Sequence, residues 1–133
     1  MRDEQVRRYA RHVLVPDIGG LGQTALLVAT ARIELRESEP DAELIEAMFL
    51  TAGGVGKLVL HGATDAQVQQ ISDHGADTTL IAIDAEAPAT DGVEVVLQPK
   101  PAWWPTAAGD SLALAYWRGS LAATRWMATI ANA

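Results

Sequence analysis

Four short segments with strand composition, ARIELRE (31–37), KLVLHG (57–62), TTLIAIDA (78–85) and VEVVLQP (93–99), are spread along the chain, with helical periodicity between most of them. Strands joined through helices pair in parallel, because a crossover has to carry the chain back along the sheet before the next strand begins. The economical architecture is therefore α/β, a mainly parallel sheet covered by helices. ARIELRE alternates apolar and charged residues, which directs Ile33 and Leu35 to one face. TTLIAIDA is the most apolar of the four and predicts a strand buried on both faces.

The helical segments follow from spacing and punctuation. Residues 3–14 predict a helix with Val6, Tyr9, Ala10, Val13 and Leu14 on its apolar side. Pro16 and Gly19, Gly20 and Gly22 then break the pattern, and QTALLVAT resumes it for a turn or two. SEPDAELIEAMFLTAGG predicts a helix capped by Ser38 or Asp41, with Pro40 in its first turn and Leu44, Ile45, Met48 and Phe49 as its buried stripe. Gly53 and Gly54 end it. TDAQVQQISDHG predicts another helix, capped by Thr64 or Asp65 and stopped at Gly75. After the proline-rich KPAWWPTAAG, DSLALAYWRGSLAATRWMATIANA forms a long closing helix. With 133 residues, nearly half of them hydrophobic, the chain predicts one domain: a helical segment over 1–31 and an α/β core over 32–133.

Composition removes several functions. Seventeen acidic against ten basic residues give a net charge of −7, unsuited to a nucleic-acid backbone, so no nucleic-acid partner is expected. The sequence contains no cysteine, and His12, His61 and His74 lack ligand spacing, so neither thiol chemistry nor a metal centre is expected. The early charged stretch lacks the apolar run of a signal peptide and no later run approaches a membrane span, which makes a cytoplasmic protein without membrane contact the expectation.

Two glycine clusters invite a nucleotide reading. Gly19 to Gly22 precede the first strand, whereas a phosphate-binding loop has to lie between a strand end and a helix start, where backbone amides meet the phosphates. In TAGGVGKLVL, position 51 is Thr and Lys57 is followed by Leu58, so the GxxxxGK[ST] spacing fails and the glycines predict a helix-to-strand turn. Where the loop belongs, after ARIEL, stands RESEPDAE. Its Glu37, Glu39, Asp41 and Glu43 would obstruct and repel a polyphosphate.

The stretch RYARHVLVPDIGGLGQ resembles the amino-terminal signature of the ThiF/MoeB/HesA family, bacterial relatives of ubiquitin-activating enzymes, which reads RYxRQxxLPxxGxxGQ. FLTAGGVGKLVL is similar to the family's YLAxAGVGxLxLxD segment, and GSLAATRWM to its carboxy-terminal GSLQAxEAxK helix. The matches occur in family order and cover roughly half the chain. The resemblance implies a Rossmann-like domain, truncated relative to the family, on a frame that otherwise serves ATP-dependent adenylation of a ubiquitin-like or sulfur-carrier protein. It also implies a degenerate site: ESEPDA replaces the GxGGLG loop, Gly62 falls near the ribose-binding acid, and no lysine lies between Lys57 and Lys100. Asp84, ending TLIAID, falls on the metal-binding aspartate. The arginine of the family's RYxRQ stretch, here Arg11, reaches across a dimer toward the partner's ATP, a task suited to a permanently charged bidentate group.

Two function classes follow, with ATP-dependent adenylation of a ubiquitin-like or sulfur-carrier protein by this chain itself as a third reading. The first, implied by the resemblance, is a noncatalytic interaction or regulatory subunit in a homodimer or in a heterodimer with a full-length relative, with a ubiquitin-like carrier as a further partner. It has no catalytic residue or cofactor of its own, ATP and Mg entering only if the partner supplies the site. The second is a small-molecule-binding α/β domain whose site has moved to QPKPAWWPTAAGD, with Lys100, Trp103 and Trp104 near a strand end. The closing helix carries Leu112, Leu114, Tyr116, Trp117, Leu121, Trp126, Met127 and Ile130 around much of its circumference, more apolar surface than one sheet face covers. Either that helix is almost wholly buried, or Trp117 and Leu121 belong to an interface.

Overall fold

A computed structural model of the chain describes residues 1–10, 12, 18–36, 40–75, 77–88, 91–104 and 111–133. Among them the elements run α1 (Asp3–Arg8), α2 (Gly19–Val28), β1 (Thr30–Glu34), α3 (Asp41–Ala52), β2 (Lys57–His61), α4 (Asp65–Ser72), β3 (Thr79–Ile83), β4 (Val93–Glu94) and α5 (Ser111–Ala131). The strands form one parallel sheet in the order β3-β2-β1-β4, with Thr30 opposite Lys57, Lys57 opposite Thr79 and Ala31 opposite Val93. The fold is thus α/β and Rossmann-like. None of the described helices is long and apolar enough to cross a membrane.

The two sheet faces differ as the alternation in ARIELRE requires. Ala31 and Ile33 lie beside Leu58 and Leu60 on one face, all fully buried. Against them pack Leu26 of α2, Ala47 and Leu50 of α3, Ile71 of α4, and Ala122, Ala123, Trp126 and Met127 of α5. Burying each large aliphatic side chain contributes about 1.5–3 kcal/mol, so this layer supplies most of the driving force. The opposite face carries Arg32, Glu34, Val59 and His61. The connection from β3 to β4 contacts that side, where the Gly92 carbonyl accepts from Arg32 Nη1 (2.9 Å) and the Ala87 carbonyl lies 2.6 Å from His61 Nε2.

Several sequence expectations are corrected. TTLIAIDA is not buried on both faces; β3 has a neighbour on one side only and keeps exposed positions at Thr79 and Ala82, while central β2 is the most buried strand. Gly19, Gly20 and Gly22 do not break the chain but form the first turns of α2, with Gly19 at φ +65° starting it. VEVVLQP is a strand only over Val93–Glu94, and after a last bond from the Val95 N–H to the Arg32 carbonyl (2.9 Å) it leaves the sheet. The opening helix is recorded as Asp3–Arg8, with Tyr9 buried at its end and Val6 exposed; Arg11, Val13, Leu14 and Pro16 lie outside the described residues.

Helix α3 departs most from its expected face. Its fully buried positions are Ala42, Glu43, Glu46, Ala47, Leu50 and Thr51, while Leu44, Ile45, Met48 and Phe49 are only half-buried. The reason is that α3 is covered on two sides. α5 crosses so closely at Gly119 that a Cβ there would collide with the Ala42 carbonyl. Pro40 occupies the N-cap position of α3, and Ser38 lies outside the described residues. In α4 the cap is Thr64, whose hydroxyl accepts from the Gln67 N–H (3.2 Å) while the Gln67 side chain accepts from the Thr64 N–H (2.8 Å). Its C-cap is Asp73, two residues before the expected stop at Gly75.

Candidate functional site

The strand order changes direction between β1 and β4: β2 and β3 extend the sheet to one side of β1, and β4 joins on the other. Open parallel sheets bind ligands beyond the carboxyl ends of the strands at such a point. A crevice of about 180 Å³ lies there, lined by Glu34, Arg36, Glu43, Glu46, Glu94, Val95, Val96, Leu97 and Arg118. Chain direction explains most of the lining. Glu34 ends β1 and Glu94 ends β4, while Glu43 and Glu46, three residues apart, share a face of α3.

Three of the four carboxylates have partners. Glu34 accepts from Arg32 Nε (2.8 Å) and bonds the Nδ1 of His61. Because the other imidazole nitrogen faces the Ala87 carbonyl, both ring nitrogens meet acceptors, which suits the doubly protonated ring. The bond to Glu34 accordingly raises the His61 pKa against the opposing effect of burial. Burial would raise the pKa of Glu34, yet the bonds from His61 and Arg32 outweigh it and hold the carboxyl below its usual range. Glu94 pairs with Arg36 (3.4 Å) and Arg32 (3.8 Å), and Glu43 accepts from the backbone N–H of Arg36 (3.0 Å).

Glu46 is different. It is 1% exposed, and its Oε2 has no hydrogen-bond partner among the described residues. Burial and the nearby Glu43 carboxylate, with Arg118 opposing and Glu94 adding, push its pKa up to about 9. At neutral pH it is a neutral carboxylic acid facing a crevice lined by both carboxylates and guanidinium groups. The first turn of α3, where backbone amides would otherwise hold an anion, is occupied by Asp41 and Glu43. The crevice is thus of mixed charge, with Arg36 and Arg118 set among Glu34, Glu43 and Glu94.

The residues singled out in the sequence lie elsewhere. Trp103, Trp104 and Trp117 form a cluster with ring centroids 5.9–6.1 Å apart, Trp103 being 69% exposed. Lys100 is exposed, and Leu121 is half-buried on α5. Asp84 follows β3, where its Oδ1 accepts from the Glu86 N–H (3.2 Å) beside a separate depression that includes Gly62. Arg11 lies outside the described residues; nearby Arg8 binds Asp77 together with Arg2, Gln5 and Tyr9. Sequence reasoning missed Glu34, Glu46, Glu94 and Arg118. The available signals were the Arg32–Glu34 alternation and two glutamates three residues apart inside an otherwise apolar helix.

Compared with protein-family models and with curated proteins, the sequence matches none.

Proposed function

We propose that this chain is a noncatalytic ThiF/MoeB-like domain that serves as an interaction or regulatory subunit of an activating-enzyme-like assembly. The observation that carries this reading is the carboxylate lining of the switch-point crevice, where a nucleotide-binding relative would hold phosphate. Order adds support: RYARHVLVPDIGGLGQ precedes β1, FLTAGGVGKLVL runs from α3 through β2, and GSLAATRWM lies within α5. ATP and Mg would belong to the partner's site, with Arg11 reaching toward the phosphates, and the adenylated substrate would be a ubiquitin-like carrier.

A contact surface is available on α5 and its approach, where Leu112 (64% exposed), Tyr116 and Trp103 face outward. The same exposure favours a partner contact over a small-molecule pocket for the tryptophan cluster. The test is native mass after purification at low salt, together with ATP–pyrophosphate exchange by the isolated chain. The reading expects an assembly with a second subunit and no exchange by this chain alone. Leu112→Asp should shift the mass toward the single chain without unfolding it, because Leu112 is already exposed. Exchange by the isolated chain, or a mass indifferent to Leu112→Asp and Leu121→Asp, would refute it.

A further inference from the structure

We infer that the crevice between the carboxyl ends of β1 and β4 binds a small aliphatic ammonium ion, with Glu46 as the acceptor at its floor. The inference goes beyond the subunit reading and concerns the isolated chain. Its first support is Glu46 itself, a carboxyl 1% exposed that lines the crevice and whose Oε2 has no hydrogen-bond partner among the described residues. An unsatisfied buried polar atom costs on the order of 1–3 kcal/mol, so a donor delivered into the crevice recovers that loss. Its second support is the location at the switch point of an open parallel sheet.

The chemistry of the lining selects the ligand. Arg36 and Arg118 are set against Glu34, Glu43 and Glu94, so the acceptor left without a donor, Glu46, and not net charge, selects a ligand that brings N–H donors. A metal ion would need several converging ligands, and among the described residues no three histidine, aspartate or glutamate side chains are so arranged. Buried Val95 and half-buried Leu97 offer an apolar wall for a short hydrocarbon body. A crevice of about 180 Å³ holds roughly six waters, or an ion with a few carbons.

Binding should be coupled to a proton. Glu46 is faced by Glu43 on its own helix, Glu94 from β4, Glu34 and Arg36 at the end of β1, and Arg118 from α5. In the unliganded chain this environment keeps Glu46 protonated up to about pH 9. An ammonium ion seated against it ionises the carboxyl, and the O–H proton goes to solvent, leaving a carboxylate–ammonium pair. Affinity should therefore rise with pH between about 6 and 8, by up to tenfold per unit where coupling is complete.

The experiment is calorimetric titration of the full chain with n-butylammonium chloride at pH 6 and pH 8, in buffers of different ionisation enthalpy. Expected is saturable binding, at least tenfold tighter at pH 8, with release of close to one proton. Glu46→Gln keeps the shape and neutrality of the native side chain, and should weaken binding at least tenfold at pH 8 and abolish proton release. Glu94→Gln, at the rim, should weaken it severalfold with the proton coupling intact, an independent check if Glu46→Gln fails to fold. No saturable binding, equal affinity in Glu46→Gln, or preference for sodium butyrate or magnesium chloride over butylammonium would overturn the inference.

Discussion

Two buried carboxyls at opposite ends of the same sheet are in opposite states. Asp77, just before β3 and 8% exposed at its side chain, accepts from Tyr9 Oη (2.6 Å), Gln5 (3.2 Å), Arg2 (3.2 Å) and Arg8. Burial favours its neutral form, but the bonds from Tyr9, Gln5 and Arg8 hold its pKa below the ordinary aspartate range. Glu46, near the carboxyl ends of the strands, is more deeply buried, its Oε2 has no hydrogen-bond partner among the described residues, and its pKa is pushed up to about 9. Burial pushes both carboxyls toward the neutral form; the donors around Asp77 overcome it, whereas at the deeper Glu46 burial prevails. The satisfied one fastens α1 to the start of β3, and the unsatisfied one faces the crevice.

The largest effect should come from the unsatisfied carboxyl. Its folded-state pKa lies above the unfolded value of about 4.3, so its contribution to stability is intact below that pH and is lost progressively as pH rises toward about 9. Glu46→Gln removes the loss. Urea unfolding should show the variant more stable than the parent by about 5 kcal/mol at pH 8 and equal to it at pH 4. A gain independent of pH would mean that Glu46 is ionised in the native state, and the contrast with Asp77 would collapse.

Asp77→Asn tests the other side. A depressed folded-state pKa places its contribution above the unfolded value of about 3.9, to be lost as pH falls through the folded value. Loss of charge-assisted bonds in a largely buried site should destabilise the chain by about 2 kcal/mol at pH 7, and by progressively less below pH 4. Amide exchange should rise first in α1, because its ties to Asp77 are the contacts being cut.

Neither carboxyl was legible in the sequence, although much around them was, and the difference is a matter of range. Ile33 facing inward while Arg32 and Glu34 face outward follows from the two-residue period of a strand, and Thr64 capping α4 follows from local hydrogen bonding. The exposure of β3 depends on the order in which strands assemble, which its own apolar composition does not encode. Glu46 looked like the polar side of a one-sided helix, and only the approach of α5 at Gly119 turns that side inward. The Asp77 network joins residues 68–75 positions apart, beyond any spacing rule.

Gly54→Ala sharpens the Asp77 half without touching its charge. Gly54 has φ +83°, and a Cβ there would lie 2.6 Å from Tyr9 Cζ, so the substitution strains the turn and displaces the ring. The expected cost is about 1–2 kcal/mol. A second measurement distinguishes this from general destabilisation. Burial and the bond to Asp77 push the Tyr9 phenol up to about 12, so in Gly54→Ala its ultraviolet titration should move back toward 10. An unmoved titration would mean that the ring keeps its site and that Gly54 acts through the turn alone.

The smallest effect belongs to the pair that bridges the two strand ends, Glu34 and His61. His61 has a raised folded-state pKa, so its contribution is whole below the unfolded value of about 6.5 and is lost as pH rises through the folded value. Glu34 has a lowered one, so its contribution is present above about 4.3 and is lost as pH falls. The pair therefore supports the fold fully between those limits, weakening above the upper one as His61 deprotonates and below the lower one as Glu34 protonates. The decline overlaps the one expected from Glu46, so the two have to be separated by construction of a double variant. In a Glu46→Gln background, unfolding followed from pH 6 to pH 9 should retain a shallow downward slope, which a further His61→Gln substitution flattens. If the background alone is already flat, His61 is neutral across this range, and Glu34 draws its depressed pKa from Arg32 instead.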